Sequence, residues 1–209
     1  MTIGVIDYGC GNAGSVVSMF RRINVAARRV RQLEDFDGCD RFVLPGVGAF
    51  DDVVLRFRAS GLESPLRQRV RLDGLPLLGI CVGMQMLANS SEEGSEPGLG
   101  WIPGKVRHLS SIVPENTRLP VMGWQYVEQR SPSFAKIEAD TRFYFVHSYY
   151  FEVAAEGDLV LVASTEGHAP AAVRRGNIFG TQFHPEKSHR FGMGLLSSFA
   201  EWVPEHANV

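Results

Sequence analysis

The chain has 209 residues, 44% of them hydrophobic and 21% charged, with a formal net charge of -2. This is the balance of an ordinary globular protein that buries roughly 70% of its unfolded surface, with no basic stripe for a nucleic acid. Three widely spaced cysteines, Cys10, Cys39 and Cys81, argue against a disulfide framework or a zinc site. No apolar run approaches the ~20 residues of a membrane span, and the start at Met1 to Ile6 is too short for a signal peptide, so a reducing cytosol is expected.

Ile3 to Ile6 is an apolar run ending at Asp7-Tyr8-Gly9 and predicts a buried first strand. Val16, Val17, Phe20 and Ile23 then fall at helical spacing, with an end near Asn24. Arg41 to Leu44 is a strand closed by Pro45-Gly46, and a helix with Val53, Val54 and Phe57 inward follows. The cluster from Arg67 to Arg71 is the wet face of a helix. Leu75 to Ile80 is a strongly apolar strand running directly into Cys81 and a helix that carries Met84 and Leu87. Alternating strands and helices predict a mostly parallel central sheet with helices on both faces.

Ser90 to Gly100 is a loop. From Trp101 onward the strand-like runs are 121–129, 142–151, 159–164, 171–175 and 178–183, so a β-rich, partly antiparallel C-terminal half is expected. A closing helix over about 192–203 carries Leu195, Leu196, Phe199 and Trp202. With no repeat and no convincing linker, residues 1–209 form a single mixed α/β domain in this reading.

Gly79-Ile80-Cys81-Val82-Gly83 is the nucleophile-elbow pattern with cysteine as the nucleophile. An abrupt strand-to-helix turn forces Cys81 into a strained backbone state and requires tiny residues two positions either side. The helix N-terminus favours the thiolate, and the Val82 N–H can receive an oxyanion. The bland alternative is a buried core cysteine between packing glycines. A thiolate needs a proton partner. His184 ends an apolar run and precedes Pro185-Glu186. If the segment stays extended, His184 and Glu186 project to one side and the acid fixes the imidazole, with a strand-end histidine bonded to backbone as the plain alternative. His147 is the lesser candidate base, since no acid follows it closely. His108, His168, His189 and His206 are assigned to the surface. The loop Leu44-Pro45-Gly46-Val47-Gly48 can offer backbone N–H groups, and Gln85, one turn beyond Cys81, can hydrogen-bond a substrate.

A rival signal is Gly9-Cys10-Gly11-Asn12-Ala13-Gly14, which matches the dinucleotide fingerprint after a strand and before a helix, with Glu34 about twenty residues on. It leaves the cysteine elbow and the His-Pro-Glu segment unexplained.

Taken together, Leu44 to Gly48, Gly79 to Gln85 and Gln182-Phe183-His184-Pro185-Glu186-Lys187-Ser188 resemble the class I, triad-type glutamine amidotransferases. Asp7 to Asn12, Met122-Gly123-Trp124 and Tyr144 to Tyr149 extend the resemblance, more narrowly, to the glutaminase subunits of imidazole glycerol phosphate synthases. The resemblance implies a Cys81–His184–Glu186 triad, an oxyanion site at Gly46, Val47, Gly48 and Val82, and glutamine held near Gly48, Gln85, Ser148 and Tyr149. It implies that Asn12, Met122, Trp124 and Lys187 meet a cyclase subunit, a (β/α)₈ barrel that consumes the ammonia, and that the glycine-rich first turn faces this protein partner. No metal, cofactor, nucleic acid or membrane is implied. Activity without the partner should be low, with the 45–48 loop not set to donate. Gln125 stands where asparagine is usual, Val82 where leucine is common and His189 where glutamine is frequent; the first could alter interface hydrogen bonding. Other classes remain in play: a thiol hydrolase acting alone on peptides, a scaffold with an inert triad, and the dinucleotide binder.

Overall fold

In a computed structural model, residues 1–164 and 167–204 are described, so His206 lies outside the described residues. The parallel half of the fold comes first. β1 (Thr2–Ile6), β3 (Arg41–Gly46) and β4 (Leu77–Cys81) pair side by side, with β2 (Ala26–Val30) on the outer edge of β1. β4 is buried at all five positions, as a central strand covered on both faces must be.

Beyond β4 the sheet continues through β12 (Ile178–Thr181), β11 (Pro170–Arg175), β10 (Leu159–Ala163), β7 (Val121–Gln129) and β8 (Arg142–His147), giving nine strands in the order β2-β1-β3-β4-β12-β11-β10-β7-β8. β12 pairs parallel to β4 and antiparallel to β11. It is therefore the strand at which the parallel half meets the antiparallel one. A second sheet contains β5 (Ser90–Ser91), β6 (Gly104–His108) and β9 (Tyr149–Val153).

α1 (Ala13–Arg22) buries Val16, Val17 and Phe20 and leaves Arg21 and Arg22 in water. The chain then leaves the helix through Asn24 at φ 57°. α2 (Phe50–Ala59) turns Val53, Val54 and Phe57 inward. α3 (Glu63–Arg67) continues into a widened turn over Gln68–Leu72, with Arg67 and Arg71 exposed and Val70 buried. α5 (His189–Glu201) packs Leu195, Leu196 and Phe199 inward and begins three residues before its expected start. Trp202, just past its end, stacks on Phe134.

Four features differ from the sequence reading. β2 was not expected, because an edge strand reading Ala-Ala-Arg-Arg-Val has a single buried residue at its end and no alternation to detect. β6 was also missed. The run 142–151 is two strands in different sheets, divided at Ser148. The helix after Cys81 is a single buried turn, α4 (Val82–Gln85), which carries Met84 but ends before Leu87.

Candidate active site

Three adjacent parallel strands end at the same place. β3 runs into the 45–48 loop, β4 ends at Cys81, and β12 leads through Gln182 and Phe183 to His184. Register sets Gly46 opposite Cys81 and Thr181 opposite Ile80. Crevices at the carboxyl ends of such strands are where open α/β sheets bind ligands.

Cys81 sits at φ 55° and ψ -116°, a left-handed state that costs a non-glycine residue about 1–3 kcal/mol. The flanking glycines make this turn possible in two different ways. A Cβ on Gly79 would meet Gly83 O at 2.8 Å and Met84 Cα at 2.9 Å, across the turn itself. A Cβ on Gly83 would overlap the Leu44 carbonyl of β3, so this glycine is small for the neighbouring strand. Because α4 is a single turn, its dipole offers the sulfur less than a long helix would. Val82 is the first helical residue, so its N–H has no intrahelical acceptor.

His184 Nδ1 lies 2.9 Å from Glu186 Oε1, and both side chains are 2% exposed. The sequence reading put both residues on one extended segment, which holds only in part. His184, before a proline, is extended at φ -101° and ψ 96°, but Pro185–Lys187 is a short 3₁₀ turn, and that turn brings Glu186 back to the ring. The backbone is fixed as well: His184 N–H donates to Tyr144 O (2.9 Å) and Ser188 Oγ–H donates to His184 O (2.7 Å). Burial works against a charged imidazole here, but Cys81 and Glu186 outweigh it and raise the His184 pKa to about 9. Nε2 is nonetheless buried without a well-directed hydrogen-bond partner among the described residues, as is Glu186 Oε2. Cys81 is thus close enough to stabilise the imidazolium, which at neutral pH carries a proton that it can give to a reacting group.

A cleft of about 160 Å³ joins these groups. It is lined by Cys81 and His184, by the expected Val47, Gly48, Val82, Gln85, Ser148 and Tyr149, by His147, the lesser candidate base, and by two residues with no expected role there, Glu93 and Val146. Gly46 lies beneath the cleft, pressed against Val82 and Gly83. Gln85 is 3% exposed and so belongs to the cleft wall rather than to the solvated surface. Glu93 comes from the 90–100 loop; it accepts from Phe50 N–H at 3.0 Å, and burial raises its pKa. Nothing in its local sequence marks it, because a loop of glutamates looks solvated. Burial pushes the His147 pKa down to about 4, so this ring stays neutral, with Nδ1 2.8 Å from Tyr149 O. The base of the 45–48 loop is held by Tyr8, whose buried hydroxyl donates to Pro45 O at 2.7 Å.

Gln182 is the largest omission. It is fully buried, and its amide nitrogen lies 3.7 Å from Cys81 Sγ. Alternation along an extended segment was the available signal: with Phe183 in the core, 182 and 184 point the same way.

The remaining residues fall outside the cleft. Met122 and Trp124 are 65% and 44% exposed on one face of β7, and Trp124 stacks on His189. Lys187 is exposed in the turn against which α1 packs, and Asn12, exposed, caps α1 by accepting from Ser15 N–H. Gln125 is only 6% exposed, yet it lines a groove together with Met122 and Trp124. His168 and His189 are exposed and His108 is half-buried. A larger groove of about 470 Å³ beside Trp124, Tyr126 and Arg142 holds no nucleophile.

The dinucleotide rival loses its physical basis. The close approach that Gly11 permits is to the Pro45 backbone at 2.9 Å, not to a pyrophosphate, and Glu34 lies in a turn beyond the end of β2. Among the described residues no cluster of three His, Cys, Asp or Glu side chains could hold a metal, and no helix is long and apolar enough to cross a membrane.

A family model described as glutamine amidotransferase class-I matches residues 5–201. A Bdellovibrio bacteriovorus protein named imidazole glycerol phosphate synthase subunit HisH is 44% identical over 203 residues, 95% of this chain and 99% of the relative. A Pseudomonas aeruginosa protein named imidazole glycerol phosphate synthase subunit HisH 2 is 44% identical over 204 residues, 96% of this chain and 100% of the relative. Among solved structures, one titled as a glutamine amidotransferase superposes with a TM-score of 0.72 at 23% identity, over 95% of this chain and 97% of the other. PurLQS from Thermotoga maritima superposes with a TM-score of 0.71 at 17% identity, over 96% and 97%; both likenesses speak to fold alone.

Proposed function

The chain belongs to the class-I glutamine amidotransferase family, and from that membership we propose that it is the glutaminase subunit of an imidazole glycerol phosphate synthase. It hydrolyses glutamine to glutamate and ammonia. The ammonia passes to a cyclase subunit that makes imidazole glycerol phosphate in histidine biosynthesis. The observation that carries this reading is the 44% identity, over nearly the full length, to subunits of that name, in a chain that gathers Cys81, His184 and Glu186 at the ends of two adjacent strands, β4 and β12.

In the mechanism we propose, the Cys81 thiolate attacks the side-chain amide carbon of glutamine, and Val82 N–H with the 46–48 backbone receives the oxyanion. His184 gives its proton to the leaving ammonia, then takes one from the water that hydrolyses the glutamyl thioester. Glu186 keeps the imidazole oriented throughout and stabilises its charged form before the first step and after the second. Glu93 is a half-buried carboxylate in the cleft and suits the α-ammonium group of glutamine, with Gln85 Oε1 as a further acceptor, while Ser148 and Tyr149 suit the carboxylate end. The cleft of about 160 Å³ is well below the roughly 300 Å³ at which sites for larger ligands begin, which favours a free amino acid over a peptide.

Asn12, Met122, Trp124 and Lys187 form the proposed cyclase-facing surface, around the turn that carries Glu186. The whole chain serves as one amidotransferase domain, and a reducing cytosol suits its free thiols at Cys10, Cys39 and Cys81.

Acid-quenching the complex during turnover tests the chemistry. Mass spectrometry should find a glutamyl adduct on the Cys81 peptide alone. Turnover with the adduct on another residue, or undiminished turnover by a Cys81→Ala variant, would contradict it.

A further inference from the structure

The triad accounts for one side of the Cys81 sulfur; a chain of amides fixes another. Tyr149 O is a backbone carbonyl and can only accept. It accepts from Gln85 Nε2 at 3.3 Å, which orients the Gln85 amide. The same Nε2 donates to Gln182 Oε1 at 3.0 Å, which leaves the Gln182 amide only one orientation: its NH₂ group faces Cys81 Sγ, 3.7 Å away. The Gln182 backbone is held too, its N–H donating to Ala171 O at 2.9 Å. No part of this relay can reverse without breaking a bond to a group that has no donor to offer.

We propose that Gln182 is a further catalytic residue, a fixed N–H donor that stabilises negative charge on Cys81 without taking its proton. The inference rests on Cys81 being the nucleophile of the glutaminase reaction. A thiol accepts hydrogen bonds weakly, whereas an anionic sulfur accepts charge-assisted ones, so a donor locked on the sulfur favours the thiolate. The donor acts twice. Before attack it raises the fraction of thiolate. In thioester hydrolysis, water forms the new C–O bond and yields a proton to His184, the C–S bond breaks, and its electron pair returns to a sulfur that the Gln182 N–H already faces. The site is buried, which strengthens such a bond.

The test uses the full chain, with no glutamine or partner. The rate of Cys81 alkylation by iodoacetamide is followed against pH by peptide mass for wild type, Gln182→Met and Gln182→Glu. Methionine fills the space with no donor. Glutamate keeps the acceptor that Gln85 uses but exchanges the donor to sulfur for a carboxyl group whose charge also raises the midpoint, so the methionine variant carries the supporting result and an unmoved midpoint in either variant overturns the proposal. Both variants should move the alkylation midpoint up by about one pH unit, the size of one lost charge-assisted hydrogen bond. An unmoved midpoint overturns the proposal even if KM rises, since Gln182 would then merely hold Gln85. A shifted midpoint in a chain that shows no glutaminase with its partner would keep this inference and overturn the functional reading instead.

Discussion

Replacing Glu186 by Gln isolates the charge behind the base. Glutamine keeps an Oε1 that can accept from His184 Nδ1, so ring orientation survives and only the negative charge goes. The contact is 2.9 Å long with both side chains 2% exposed, which places it among charge-assisted bonds worth about 1.5–3 kcal/mol. Lost from the transition state, that amounts to about 10- to 100-fold in kcat/KM. The same energy corresponds to about 1–2 units of pKa. His184 is charged up to about pH 9 with Glu186 in place, so in the variant it loses its proton one to two units lower. The alkaline limb of the rate profile should move down by that amount, while the acid limb stays. Stability follows with its own sign. A raised histidine pKa stabilises the fold fully below about 6.5, and this is lost as pH rises through about 9, so the wild type should lose melting temperature over that window and the variant should lose less. Initial rates of glutamate formation with the liganded cyclase partner, from about pH 6 to about pH 10, and melts over the same range decide it. An unmoved alkaline limb with a rate within about threefold of wild type would refute the reasoning.

Cys81→Gly should be inactive yet melt about 2–4 °C above the equally inactive Cys81→Ala, because about 1–3 kcal/mol of backbone strain at φ 55° exceeds glycine's cost of about 0.5–1 kcal/mol. Calorimetry on the two variants measures the difference. Gly83→Ala drives a methyl into the Leu44 carbonyl, and thermal melts should show a loss of about 1–3 kcal/mol with lower activity, as β3 is pushed away from the elbow. Glu93→Gln should raise KM for glutamine about tenfold in steady-state assays with kcat nearly kept, the pattern of a lost binding charge.

Much of this arrangement was legible in the residues. Apolar runs located β1, β3 and β4, and the glycines at 79 and 83 announced a turn that only tiny residues tolerate. His184 before Pro185 and Glu186 pointed to a base with its acid, although the extended geometry first assigned to them is really an extended residue followed by a tight turn. What escaped had no local signature. β2 is an edge strand whose outward residues are arginines. Glu93 becomes a cleft residue only because the 90–100 loop folds over α2, and Gln182 matters only because β12 lies next to β4, a pairing between residues about a hundred positions apart.

The measurement that bears most directly on the account is glutamate production from glutamine by wild type and Cys81→Ala, each with and without the cyclase subunit and that subunit's nucleotide ligand. The account predicts strong activity only for wild type with the liganded partner. Wild type silent under that condition, or Cys81→Ala as active as wild type, would contradict it.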